Sequence, residues 1–115
     1  MDKYEMLAEK INMLEFHQKL LLEVVDHPSK KFTRLIIESG LSESEVNHFY
    51  SICDKLSKKL EEQKAEGYVY FHPLFDELSI SMPDKLDIGQ TIKACLSQNL
   101  YKSLFQEFEK FIEPS

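Results

Sequence analysis

The 115-residue chain carries 20 acidic residues against 14 Lys and Arg, giving a formal net charge of −6. With 43% hydrophobic and 30% charged residues and only three glycines, residues 1–115 have the composition of one globular domain rather than of a disordered chain. The acidic balance disfavours nucleic acid and anionic membranes as partners. The lack of a long apolar run or a leader sequence leads us to expect a cytoplasmic protein.

The first predicted element is one long helix from Asp2 to about Asp26. Its apolar residues recur in steps of three and four, interrupted only by Gln18, which is typical of one helix face. Pro28 gives a physical reason for the helix to end, because it lacks an N–H and restricts the residue before it. The apolar face consists of Tyr4, Leu7, Ile11, Leu14, Leu21 and Val25.

The stretch LLLEVV, near the end of this helix, is apolar around most of the helix circumference. One neighbouring helix cannot cover such a segment. It is therefore the centre of the monomer's core, is covered by the aromatic segment 68–87, or is buried by another subunit. We favour self-association. The candidate oligomer interface consists of Leu20, Leu21, Leu22, Val24 and Val25.

A short second helix is predicted over residues 30–39. It would bury Phe32, Leu35 and Ile36 and end at Gly40, because glycine readily adopts the left-handed conformation of a C-cap.

The third helix is predicted to begin at Glu43, since Ser42 and Glu45 have the spacing of a capping box. Gly67 would end it. The first and third helices are each about 24 residues long, or ~36 Å, so we expect them to pack lengthwise and antiparallel. The buried seam of the third helix would be Val46, Phe49, Cys53, Leu56 and Leu60.

Residues 68–87 differ in character, because aromatic and β-branched residues alternate and Pro73 and Pro83 interrupt the segment. YVYF and LSISM have the length and composition of two hairpin strands, but a lone hairpin is marginally stable. We favour an extended strap, with or without one turn of helix, whose aromatic side chains fill gaps between helices or lie at a subunit interface. A partner-binding or pocket surface is the alternative for its aromatic cluster. That cluster consists of Tyr68, Tyr70, Phe71, His72 and Phe75.

The C-terminal part is again helical by pattern. Asp87 can cap a fourth helix, and a fifth either follows Asn99 or continues the fourth, with Pro114 closing it. The apolar side of this last part contains Tyr101, Leu104, Phe105, Phe108, Phe111 and Ile112.

The stretch IIESGLSESEVNHF, residues 36–49, also has the pattern of a DNA-binding helix-turn-helix. Residues 35–54 contain no Lys or Arg, and the second helix opens with Glu43 and Glu45, where phosphates would be met. We favour a capped turn between packed helices and keep as the alternative a transcription regulator or accessory factor that uses residues 32–49 as a degenerate helix-turn-helix. Its nucleic-acid contacts would be Lys30, Lys31, Arg34, Ser44, Asn47 and His48.

No catalytic or metal-binding arrangement is indicated. The four histidines lack the i, i+4 spacing of a helical metal site, and Cys53 and Cys95 lie on apolar seams where burial raises a thiol pKa. Three glycines cannot form a phosphate-binding loop of the known motifs. We expect no catalytic, cofactor-binding or metal-ligating residue, and no cofactor.

Three stretches carry a family resemblance over nearly the whole chain: VVDHPSKKFTRLIIESGLSESEV, the aromatic His-Pro segment and LYKSLFQEFEKF. On these the sequence resembles the YhaI-like family, small uncharacterised proteins of Bacillus-type bacteria. The resemblance implies an all-helical protein that assembles into an intertwined homo-oligomer, with a trimer as one form, and no known activity. It supplies no functional residues.

Together these features predict an all-α, multi-helical bundle with two long helices and an extended aromatic strap, which self-associates. The function that fits best is a non-catalytic homo-oligomeric module that binds a protein partner.

Overall fold

The computed structural model describes residues 1–112 and contains six helices and no strand within that range. The all-helical prediction is therefore confirmed, and the hairpin alternative is wrong. No helix in the described part of the chain is long and apolar enough to cross a membrane. The predicted closure by Pro114 lies outside the described residues. The helices are α1 Lys3–Asp26, α2 Lys31–Ser39, α3 Glu43–Ala65, α4 His72–Ser81, α5 Ile88–Ser97 and α6 Lys102–Glu109.

The predicted helix boundaries around Gly40 are confirmed. Gly40 ends α2 in the left-handed conformation, with φ +70°. Ser42 and Glu45 form the capping box of α3: the Glu45 N–H donates to Ser42 Oγ at 3.2 Å, and the Ser42 N–H donates to Glu45 Oε1 at 3.0 Å. Asp87 caps α5 by accepting a hydrogen bond from the Gln90 N–H at 2.9 Å.

The core lies between α2, α3, α5 and α6, and α4 closes one side of it. Aromatic rings fill its centre: Phe49 packs on Phe32 at a centroid distance of 5.2 Å and stacks on Phe105 at 6.5 Å. The predicted seam of α3 is confirmed, since all five of its side chains are buried. They are Val46, Phe49, Cys53, Leu56 and Leu60.

The prediction of an extended strap over residues 68–87 is wrong in its central part, which forms the ten-residue helix α4. Pro73 lies in the first turn of α4, where the missing N–H breaks no helical hydrogen bond. Leu74 and Leu78, four residues apart, are both buried. The chain gains more by placing these two leucines in the core than it would from an isolated extended segment.

The C-terminal part forms two helices, α5 and α6, and not one continuous helix. Asn99 and Tyr101 have positive φ values of 60° and 48°, so the helix is broken there. The Tyr101 hydroxyl donates to Asp54 Oδ1 at 2.8 Å, which ties the break to α3.

Gln98, at the end of α5, holds the beginning of α2. Its Oε1 accepts hydrogen bonds from the Phe32 N–H at 3.0 Å and the Thr33 N–H at 3.1 Å, and its Nε2 donates to Thr33 Oγ1 at 3.0 Å. Since no side chain of the local sequence caps α2, the amide of Gln98 satisfies two of its first N–H groups from a distance.

The expectation that the first and third helices pack lengthwise is wrong. Within residues 1–112, α1 packs mainly on α2 and does not run along α3. The molecule measures 52 × 34 × 25 Å, with a radius of gyration of 15.9 Å. A compact chain of this length would have about 13 Å, so the shape is elongated.

Candidate functional site

Helix α1 has two apolar faces, and its own chain covers only one of them. The covered face holds Phe16 and Leu20, which pack against the core. His17 reinforces this contact, because its Nε2 donates to the Leu41 carbonyl oxygen at 2.7 Å. Even on this face no residue of α1 is fully buried.

The opposite face of α1 is a stripe of exposed apolar side chains, interrupted only by Gln18, which we call the α1 stripe. At 100° per residue its members lie within about 60° of one line along the helix, roughly opposite Phe16 and Leu20. The stripe consists of Tyr4 (84% exposed), Leu7 (49%), Ile11 (54%), Leu14 (67%), Leu21 (49%) and Val25 (75%).

The five residues of LLLEVV that were proposed as an oligomer interface fall on both faces. Leu20 and Val24 are half-buried, whereas Leu21, Leu22 and Val25 are exposed. The segment is therefore not the centre of the core of this chain, and residues 68–87 do not cover it. Whether a second subunit covers it stays a prediction.

The aromatic cluster after α3 is also split between core and surface. Phe71 is buried, so it belongs to the core, whereas Tyr68 and Tyr70 are exposed. His72 and Phe75 are half-buried. The His72 ring stacks on Tyr70 at 6.0 Å and lies edge-on to Phe111 at 4.8 Å. The rings of Tyr70, His72 and Phe111 therefore form one contiguous group at the beginning of α4.

Gly40 and the capping box of Ser42 form the turn between α2 and α3, but the charges around this turn are unfavourable for DNA. Lys30 lies 3.7 Å from Glu23, and Arg34 forms a 2.9 Å ion pair with Glu38, so two of the candidate cations already face carboxylates. The other proposed contacts are exposed, namely Lys31, Ser44, Asn47 and His48. The first turn of α3 contains Glu43 and Glu45, which repel phosphate.

Both cysteine thiols lie in the core. Cys53 and Cys95 are both buried and unpaired. Burial raises the pKa of Cys95 to about 12, and it raises the pKa of Cys53 as well, with the neighbouring Cys95 as a further cause. Neither thiol is activated as a nucleophile. Residues 1–112 contain no group of three or more His, Cys, Asp or Glu that could hold a metal ion.

A protein-family model described as a protein of unknown function (DUF1878) matches residues 4–113. The chain belongs to the DUF1878 family. The match spans nearly all of α1 as well as the core helices. The family description assigns no activity, and no catalytic residue can be carried over from it.

The interface predicted from the sequence of this DUF1878 protein does not include the first half of the stripe. Tyr4, Leu7, Ile11 and Leu14 are predicted to share one helix face, but lengthwise packing of the first and third helices would place that face on α3. The signal was present in the sequence: Phe16 and Leu20 stand on the other side of the same helix, and a helix with apolar residues on two sides needs two neighbours.

Proposed function

We propose that this protein is a non-catalytic homo-oligomeric protein-interaction module of the cytoplasm, and that its copies associate through the α1 stripe. The observation that supports the proposal is the exposure of six large apolar side chains along one side of α1. Soluble monomers rarely expose large apolar patches, and such patches usually mark an interface. The resemblance to the YhaI-like proteins, which implies an intertwined homo-oligomer, points the same way.

The energy available from the stripe is large enough for stable association. Burying one large apolar side chain contributes ~1.5–3 kcal/mol, so six contribute on the order of 10 kcal/mol per helix before entropy costs. Association costs about 4–15 kcal/mol in lost motion. Two or more stripes buried against one another can therefore hold an assembly at micromolar concentration.

The exposed aromatic rings at Tyr68 and Tyr70 support the interaction part of the proposal. Tyrosine is enriched at the energetic centres of protein interfaces because it is large, rigid and able to form a hydrogen bond. These rings lie outside the α1 stripe, so the proposed self-association does not require them to be buried.

The mass of the assembly in solution tests the proposal. Size-exclusion chromatography with light scattering should give a multiple of the 13.5 kDa chain mass for the wild type. A double variant, Ile11→Lys with Leu14→Lys, should give the single-chain mass and keep its helical circular dichroism, because both side chains are exposed in the isolated chain.

Ile80→Lys is the matched control. Ile80 is 85% exposed but lies on α4, so the same change of chemistry there should leave the mass unaltered. If the double variant and the wild type have the same mass, α1 is not the interface. If Ile80→Lys dissociates the assembly, the interface includes the surface of α4 around Ile80.

A further inference from the structure

The α1 stripe follows a heptad repeat. Its flanking positions are occupied by Lys10 on one side and Glu15 on the other, and both are exposed. Neither forms a hydrogen bond or an ion pair within the described part of the chain. In heptad notation Lys10 is at g and Glu15 at e, the positions that set orientation in coiled coils. The seam itself has Tyr4, Ile11, Gln18 and Val25 at a, and Leu7, Leu14 and Leu21 at d.

Resting on the proposed self-association, we infer that the second copy of α1 lies parallel to the first and in register with it. In a parallel pair each g residue faces the e residue five positions later on the other helix. Lys10 of one copy then faces Glu15 of the second copy, and opposite charges meet on both sides of the seam.

An antiparallel pair would lose this complementarity. It brings the two g rows together, and the g row of α1 contains no acidic residue that could pair with Lys10. Glu15 would face an e row with no basic residue. Charge complementarity therefore favours the parallel arrangement.

Gln18 favours the same orientation and sets the register. In a parallel in-register pair its amide faces the amide of Gln18 on the second copy, where each can donate and accept. In an antiparallel pair an a residue faces a d residue, so each Gln18 would lie against a leucine and leave a polar group without a partner. A single polar residue at an a position commonly specifies register in this way.

The rest of the chain leaves room for this arrangement. Phe16 and Leu20 hold the body of the protein on the side of α1 opposite the stripe. Parallel copies would therefore place their bodies outward from a central seam.

Disulfide trapping tests the orientation. Leu7 and Val25 lie near opposite ends of the stripe, and both are exposed. In a parallel in-register assembly, Leu7→Cys alone and Val25→Cys alone should each give a covalent dimer after mild oxidation. A non-reducing gel would show it at twice the 13.5 kDa chain mass. Ile80→Cys and the wild type, whose own thiols are buried, are the controls and should stay uncrosslinked.

Each outcome has a defined meaning when light scattering is run on the same samples. A covalent dimer that forms only when the two variants are mixed shows antiparallel packing and overturns the inference. The inference is also overturned if the assemblies are intact but no variant crosslinks. If light scattering finds single chains, the proposed function itself fails, and the inference fails with it.

A charge exchange provides a second readout that does not depend on oxidation. Lys10→Glu and Glu15→Lys should each weaken association at low salt, by up to about fivefold per pair, because each turns an attraction into a repulsion. The double exchange should restore the wild-type affinity. If the double variant is weaker than either single variant, Lys10 does not face Glu15 of the second copy.

Discussion

Replacing Gln98 by Met should destabilise the protein far more than its half-buried position suggests. The Gln98 amide accepts from the N–H groups of Phe32 and Thr33, and both of these residues are buried. Methionine keeps the length of the side chain but offers no acceptor, so two donors at the start of α2 lose their partner away from water. Leaving a buried donor unsatisfied costs about 1–3 kcal/mol, and the loss of a helix cap costs about 0.5–2 kcal/mol. We expect a loss of about 2 kcal/mol.

Urea unfolding at a fixed chain concentration measures this loss, because association would otherwise change the apparent stability. Gln90→Met is the matched control: it makes the same substitution on an exposed position of the same helix and should change stability by less than about 0.5 kcal/mol. Gln98→Glu should fall between the two, since a carboxylate still accepts from both N–H groups but cannot donate to Thr33 Oγ1. If Gln98→Met matches Gln90→Met, Gln98 does not cap α2.

Three further predictions concern titration, thiol reactivity and nucleic acid. Hydrogen bonding to the Ser42 N–H, aided by Lys85, holds the pKa of Glu45 below its ordinary value of 4.5. Glu45 therefore contributes stability above pH 4.5, and this stability is lost as the pH falls through the lower pKa of the folded state. Urea unfolding across this range should show a smaller drop for Glu45→Gln, and an identical drop would contradict the capping-box geometry. Cys53 and Cys95 should not react with a thiol reagent at pH 8 in the native protein and should both react in denaturant; rapid native labelling would show that the core is open. Mixed-sequence duplex DNA should not bind even at low salt, and binding that weakens steeply with added salt would favour the regulator alternative instead.

Local signals in the sequence predicted helix boundaries well, because the atoms involved are close along the chain. The left-handed Gly40, the Ser42 and Glu45 capping box and the Asp87 cap each depend on partners within a few residues. The buried seam of α3 could be predicted equally well, since the spacing of its five apolar residues alone places them on one face.

Features that depend on distant partners could not be predicted. Gln98 caps α2 from 66 residues away, and nothing in the sequence near Phe32 indicates it. The segment that forms α4 was assigned by its β-branched and aromatic composition, yet burial of Leu74 and Leu78 outweighed that propensity. The prediction that α1 packs along α3 was wrong for a related reason. The apolar pattern predicts which side chains of α1 form the stripe, but it does not indicate which neighbour covers them.

The mass of the wild-type protein in solution tests the proposed assembly most directly. Light scattering across a dilution series should give a whole-number multiple of the 13.5 kDa chain mass, falling toward one chain only on strong dilution. A mass of one chain at every concentration would contradict it, because the α1 stripe would then be stable in water without a second copy.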